Sequence, residues 1–156
     1  MLKKRSMARY KKSIKSILSR SKLVHSALLN IKTIVDNATP YISPNLTGEA
    51  ILTVGSSLTE VASHACGVIA IGPFGCMPNR LSESILTEVM TRKGKLATDP
   101  NNNRLRAMLA DIEDLPFLAI ESDGSPFPQL ITAKLETFCL RAERLHNAMR
   151  KYQNNI

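Results

Sequence analysis

The sequence predicts an α/β domain: a small parallel sheet with a strand–helix–strand crossover, flanked by helices and preceded by a long N-terminal helix. Three observations point to it. Two short apolar runs, Gly67-Val68-Ile69-Ala70-Ile71 and Pro116-Phe117-Leu118-Ala119-Ile120, are too short for helices and do not alternate with polar residues. That is the pattern of parallel strands buried on both faces. The segments around them repeat apolar residues at steps of three and four, which is helical spacing. Aromatic residues make up 4% of the chain and Trp is absent, so the core must be built from Leu, Ile, Val, Ala and Met. At 156 residues the chain is long enough for one domain with a substantial core.

The first helix is expected over residues 8–37. Its stripe is Ile14, Ile17, Ser21, Val24, Leu28, Ile31 and Val35, and it ends before Pro40. The polar Ser21 and the density of Lys make its first half poorly buried. Pro40, Pro44, Asn45 and Gly48 mark a connector. A second helix is expected over Gly48–Ser63, with Thr47 as N-cap and Ala50, Ile51, Val54, Leu58 and Val61 inward. Gly55 inside it is out of place unless another helix approaches closely there. After the strand at 67–71, a helix from Pro78 to Arg92 buries Leu81, Ile85, Leu86 and Val89, with Pro78 in its first turn. Lys93–Asn103 is polar, carries Gly94, Asp99, Pro100 and three consecutive Asn, and reads as a loop. A short helix at 104–112 precedes the second strand. The last helix follows Phe127, Ile131, Leu135, Phe138, Ala142, Leu145 and Met149, with Ser125 as N-cap and Pro126 at its first position. The chain therefore divides into a basic helical arm and connector at 1–45, an α/β module at 46–150 and a tail at 151–156. Two strands are few for a parallel sheet, so a further strand is expected from this chain or from another.

No apolar run approaches the ~20 residues a membrane-spanning helix needs, so no membrane partner is expected. Lys3-Lys4-Arg5 is not followed by the apolar stretch of a secretory signal. Cys66, Cys76 and Cys139 are odd in number and irregularly spaced, which argues against a disulfide framework and for a cytoplasmic setting. The net charge of +8 is local: residues 1–22 hold nine Lys/Arg and no Asp/Glu, leaving twelve basic against thirteen acidic residues, a net of −1. Tyr10 is the one aromatic residue of that arm. A solvated basic face is the better reading, and nucleic-acid binding the weaker one.

Chemistry is expected beyond the carboxyl ends of the strands, where parallel sheets collect ligands. The first such loop is Gly72-Pro73-Phe74-Gly75-Cys76-Met77-Pro78, the second Glu121-Ser122-Asp123-Gly124-Ser125-Pro126. If the strands are neighbours, Gly72, Gly75 and Cys76 face Glu121, Asp123 and Ser125 across one crevice, with a helix N-terminus behind each loop. Cys76 is then the candidate metal ligand, although a cysteine is often only a small hydrophobe. Cys66 and Cys139 read as structural. Glu121 and Asp123 serve a turn as readily as an acid/base pair. No phosphate-binding Gly-x-x-x-x-Gly-Lys-Ser/Thr loop and no Gly-x-Gly-x-x-Gly occurs, and no residue is assigned a catalytic role.

Four segments carry a family resemblance: Gly48-Glu49-Ala50-Ile51-Leu52-Thr53-Val54-Gly55, Ile71-Gly72-Pro73-Phe74-Gly75-Cys76-Met77-Pro78, Leu115 through Gln129, and Leu135 through His146. In this order they resemble the C-terminal end of the long, multidomain proteins related to the activators of 2-hydroxyacyl-CoA dehydratases, over roughly residues 46–147. The resemblance implies an α/β fold like the repeated domains of the dehydratase subunits. It also implies an oxygen-sensitive 4Fe–4S cluster held by cysteines from separate loops, of which Cys76 is the one matched here. The activator's ATPase domain and its cluster cysteines have no counterpart, and neither does the basic segment 1–22. The expectation is an accessory or cluster-contributing module with an incomplete ligand set, not a complete enzyme. Its partners would be other subunits of such a system, or its own copy through the N-terminal helix. The alternative is a metal-free module binding an anion, an acyl-CoA-like ligand or a partner protein.

Overall fold

The computed structural model describes residues 2–21, 30–124 and 129–153. Two compact units are distinguished, Met1–Ile31 and Lys32–Ile156.

In the first unit, α1 spans Leu2–Leu18 and tightens into a single 3-10 turn at Ser19–Ser21. The hydroxyls of Ser19 and Ser21 donate to the carbonyls of Ser16 and Leu18, at 3.0 and 2.6 Å. Such back-bonding competes with the α-helical ladder. The single helix expected over 8–37 is corrected accordingly: it starts earlier, changes to 3-10 geometry at Ser19, and is not helical at Asn30. Val24 and Leu28 of the stripe lie outside the described residues.

The second unit runs α2 (Ile31–Ala38, whose first residue falls at the division), α3 (Ala50–Glu60), β1 (Val68–Pro73), α4 (Met77–Val89), α5 (Arg92–Thr98), α6 (Asn103–Met108), β2 (Phe117–Ser122) and α7 (Gln129–Gln153). The strands are parallel, in register from Val68 opposite Phe117 to Pro73 opposite Ser122. This is the expected strand–helix–strand unit, with three helices in the crossover. The loop expected over 93–103 is corrected: α5 forms because Thr91 caps it, its hydroxyl accepting from the Gly94 N–H at 3.2 Å. Asn102 caps α6 in the same way, through the Leu105 N–H at 2.8 Å. Helix α3 is shorter than expected and capped at Glu49, without a side-chain bond, in place of Thr47. Gly48 stands at φ +119°, which is incompatible with a helical residue there.

The core is gathered among the helices: Val54 and Leu58 of α3, Leu86 of α4, Leu105 of α6, Leu145 of α7, with Val61, Leu109 and Leu115 from the connections. The sheet borders this cluster through Val68 and Phe117. Side chains paired across the register share a face, so Ile69 and Leu118 lie on one face, as do Ile71 and Ile120. Leu118 and Ile120 are buried, with α7 packed on β2, whereas Ile69 and Ile71 are 38% and 67% exposed. The expectation of two fully buried strands is therefore corrected. The other face of β1, with Ala70 and Gly72, is buried, and α4 packs on this strand.

Candidate functional site

Parallel pairing brings the carboxyl ends of both strands to one end of the sheet. Gly72 stands opposite Glu121 and Pro73 opposite Ser122, and the Phe74 N–H donates to the Ser122 carbonyl at 3.2 Å. The backbone of the first loop explains its glycines. A Cβ at Gly72 would lie 2.7 Å from Cγ of Asn79, so only glycine lets the strand end this close to α4. Gly75 turns the chain at φ +74° with open space around it. The Cys76 N–H then donates to the Pro73 carbonyl at 3.1 Å, and the Cys76 carbonyl accepts from the Arg80 N–H at 2.9 Å. Cys76 is thus the N-cap residue of α4, half-buried, its thiol making no cap bond, with Pro78 in the first turn.

The second strand end is tied to the same helix. Arg80 of α4 sets its guanidinium against both carboxylate oxygens of Glu121: Nη2 donates to Oε2 at 2.5 Å, and Nε stands 2.5 Å from Oε1. The second contact is an ion pair without hydrogen-bond geometry. Arg80 Nη1 meanwhile donates to Glu83 at 3.1 Å. The Glu121 side chain is 12% exposed. A carboxylate faced on both oxygens by a guanidinium is committed to that pair. It locks β2 to α4 and is not a free base or ligand. Asp123 lies on the exposed turn beyond β2, where Gly124 stands at φ +88° and its N–H donates to Ser122 Oγ at 3.0 Å. Ser125, and with it the expected cap of the last helix, lies outside the described residues. A shallow cleft of about 220 Å³ at this end is lined by Arg80, Glu83, Glu121, Ile131 and Lys134, on the β2 side of the sheet. Gly72, Glu121 and the Cys76 loop therefore share one end, but Glu121 turns to α4. The sequence pattern does not single out Arg80 or Asn79. The Nδ2 of Asn79 is buried at the Gly72 backbone without an acceptor.

The three cysteines do not converge. Cys66 precedes β1 and packs against the core cluster. Cys139 is exposed on α7 beside Phe138, whose ring packs at Gly67, just before β1. Cys76 lies past the far end of that strand, about 20 Å from its start at ~3.3 Å per residue. Among the described residues no group of three or more His, Cys, Asp or Glu is placed to hold a metal ion. A 4Fe–4S cluster takes four cysteine ligands, so the thiols of this chain do not fit one held by a single copy.

A second polar feature lies away from both loops. Lys95 of α5 is 2% exposed, and its ammonium donates to the carbonyls of Leu58 and Thr59 and to Ser63 Oγ, at 2.8, 2.9 and 3.0 Å. Two carbonyls at the end of α3 are thereby satisfied, and the cation sits at the negative end of that helix. Burial lowers its pKa from 10.5 to about 8, against the opposing pull of Glu60 and Asp99. Beside it is a cavity of about 480 Å³ lined by Asn37, Thr59, Asp99, Asn102, Arg104 and Met149, among others. With three acceptors for its three donors, Lys95 is a helix cap and not a poised nucleophile. No sequence signal separates it from Lys93, two residues earlier, which is exposed. Only the approach of α3 distinguishes the two.

Comparison with protein-family models, curated proteins and solved structures finds no match.

Proposed function

We propose that this chain is an accessory α/β module completed by a partner chain, and not a whole enzyme. The 2-hydroxyacyl-CoA dehydratase/activator systems that its motifs resemble are the assembly in which we place it. The observation that carries this reading is the open half of β1. The N–H groups of Val68 and Phe74 point to β2 and its flanks. In a parallel ladder the alternate residues Ile69 and Ile71 therefore direct their N–H and C=O groups to the outer edge. No strand pairs with that edge among the described residues. Exposed edges are ordinarily blunted by charge, proline or a bulge. Here Pro73 closes the end alone, and Ile69, Ile71 and the 76%-exposed Phe74 form an apolar margin leading to Cys76.

A partner docked on this margin lies against the Cys76 loop. Cys76 is the one cysteine this chain brings there, so a cluster at this place requires its other ligands from the partner. The metal-free reading uses the same surface without a cluster, and iron analysis separates the two. The test mixes the full chain anaerobically with the ATPase and cysteine-rich subunits of such a system, with iron and sulfide. A stoichiometric complex is expected by size-exclusion chromatography, lost on Ile71→Asp, with iron content falling on Cys76→Ala. A complex whose iron ignores Cys76→Ala leaves the metal-free reading. Absence of any complex with those subunits refutes the placement in that assembly.

A further inference from the structure

The basic arm has a use that its charge alone does not reveal. At 100° per residue, Met7, Tyr10, Ile14, Ile17 and Leu18 fall within an arc of about 100° on α1. All five are exposed, from 49% to 69%. Arg5, Arg9, Lys11, Lys12 and Lys15 fall outside that arc, with Lys11 and Lys15 along one of its borders, and Lys3 in the first turn closes the stripe at its N-terminal end. The helix is thus a narrow apolar stripe set in a cationic surface, with no acidic residue anywhere in residues 1–22.

We propose that α1 lies on an anionic lipid bilayer, its stripe in the headgroup boundary and its lysines and arginines against the acidic headgroups. Charge complementarity selects this occupant. A second copy of the helix offers no acidic side chain for an interhelical ion pair and sets seven cations against seven. Nucleic acid would satisfy the cations but leave five large apolar side chains in water. An anionic bilayer answers both faces at once. No helix among the described residues is long and apolar enough to cross a membrane. The expectation of no membrane partner rests on that crossing length, which does not apply to a helix lying in the interface.

The test is co-sedimentation of the full chain with vesicles of phosphatidylcholine alone or with about one third phosphatidylserine. Binding is expected to the mixed vesicles, at least about tenfold weaker to phosphatidylcholine, and weakened by salt. Lys11→Gln with Lys12→Gln should weaken it roughly 10- to 30-fold. Ile14→Gln with Ile17→Gln, which keeps good helix formers and the full charge, should abolish it. Because the chain has no Trp, Tyr10→Trp places a single reporter on the stripe. Its emission should shift to the blue with the mixed vesicles only. Any of three results overturns the proposal: no sedimentation with the mixed vesicles, equal binding to both vesicles, or unchanged binding by the Ile14→Gln/Ile17→Gln variant. A dimer in solution that this same variant dissociates would also overturn it, assigning the stripe to a second copy. Salt-sensitive duplex DNA binding by that variant, without vesicle binding by the native chain, would do so in favour of nucleic acid.

Discussion

Lys95 makes the stability of this protein depend on pH in an unusual direction. Its folded pKa of about 8 lies below the ordinary 10.5 because burial penalises the ammonium more than Glu60 and Asp99 favour it. Below pH 8 the group is charged in both the folded and unfolded chains, and its contribution is constant. Between pH 8 and 10.5 the unfolded chain keeps the proton that the folded chain releases, so the unfolded state binds more protons and stability rises with pH. At 1.36 kcal/mol per pH unit, that window corresponds to about 3 kcal/mol. The neutral amine retains two N–H donors for its three acceptors, so the cap is weakened without being abandoned. The assay is urea unfolding of the wild type and of Lys95→Met in steps from about pH 7.5 to 10.5. Titrations of other groups are common to both proteins and cancel in the difference. Wild-type stability should gain on Lys95→Met by about 3 kcal/mol through this interval. Parallel curves, or a wild type that loses ground to the variant, would refute the burial argument and leave a cap whose acceptors fully offset desolvation.

Three further sites probe how the second unit is held together. Gly55→Ala places a Cβ 2.0 Å from the Ile34 carbonyl oxygen, a backbone atom that can move only with α2, and should destabilise by roughly 2–4 kcal/mol in denaturant unfolding. Arg80→Ala leaves the nearly buried Glu121 carboxylate without its guanidinium and should cost roughly 1–3 kcal/mol in the same assay. Arg80→Lys should recover little of it, because a single ammonium does not reproduce the planar fork that reaches Glu121 and Glu83 together. Gly75→Ala, with open space around the added methyl, isolates the backbone cost of φ +74° and should lose only about 1 kcal/mol by thermal unfolding, with Cys76 reactivity toward a thiol reagent as the readout of loop geometry.

What can be read from the chain, and what cannot, follows the range of the forces involved. Strands β1 and β2, their parallel pairing and helices α4 and α7 are legible because each is written in local periodicity and turn chemistry. The close approach required at Gly55 is met by α2, whose Ile34 carbonyl occupies the space a side chain would need. Residues 93–103 read as a loop because their composition is that of a loop. The helices there rest on single side-chain caps, Thr91 and Asn102, and on Lys95 reaching the end of α3, a partner 36 residues away in sequence. The shared end of the two strand loops follows from topology. The engagement of Glu121 by Arg80 does not, because 41 residues separate them and no local pattern links them.

The largest mismatch is also the most useful. The run 67–71 has the composition of a strand covered on both faces, and β1 is covered on one. Selection for solubility in a free monomer would place polar residues at positions 69, 71 and 74, as it does over most of α7, where Lys134, Glu136, Arg141 and Glu143 face water. Isoleucine at 69 and 71 and phenylalanine at 74 instead keep the composition of an interior on a surface that this chain does not cover among its described residues. Local pattern and tertiary burial agree along β2, where α7 supplies the cover, and disagree along the same face of β1. The disagreement runs along one face of β1, beside the Cys76 loop. Loose packing does not account for it, since a poorly packed domain would expose its helical core as well, and Leu58, Leu86, Leu109 and Leu145 are fully buried.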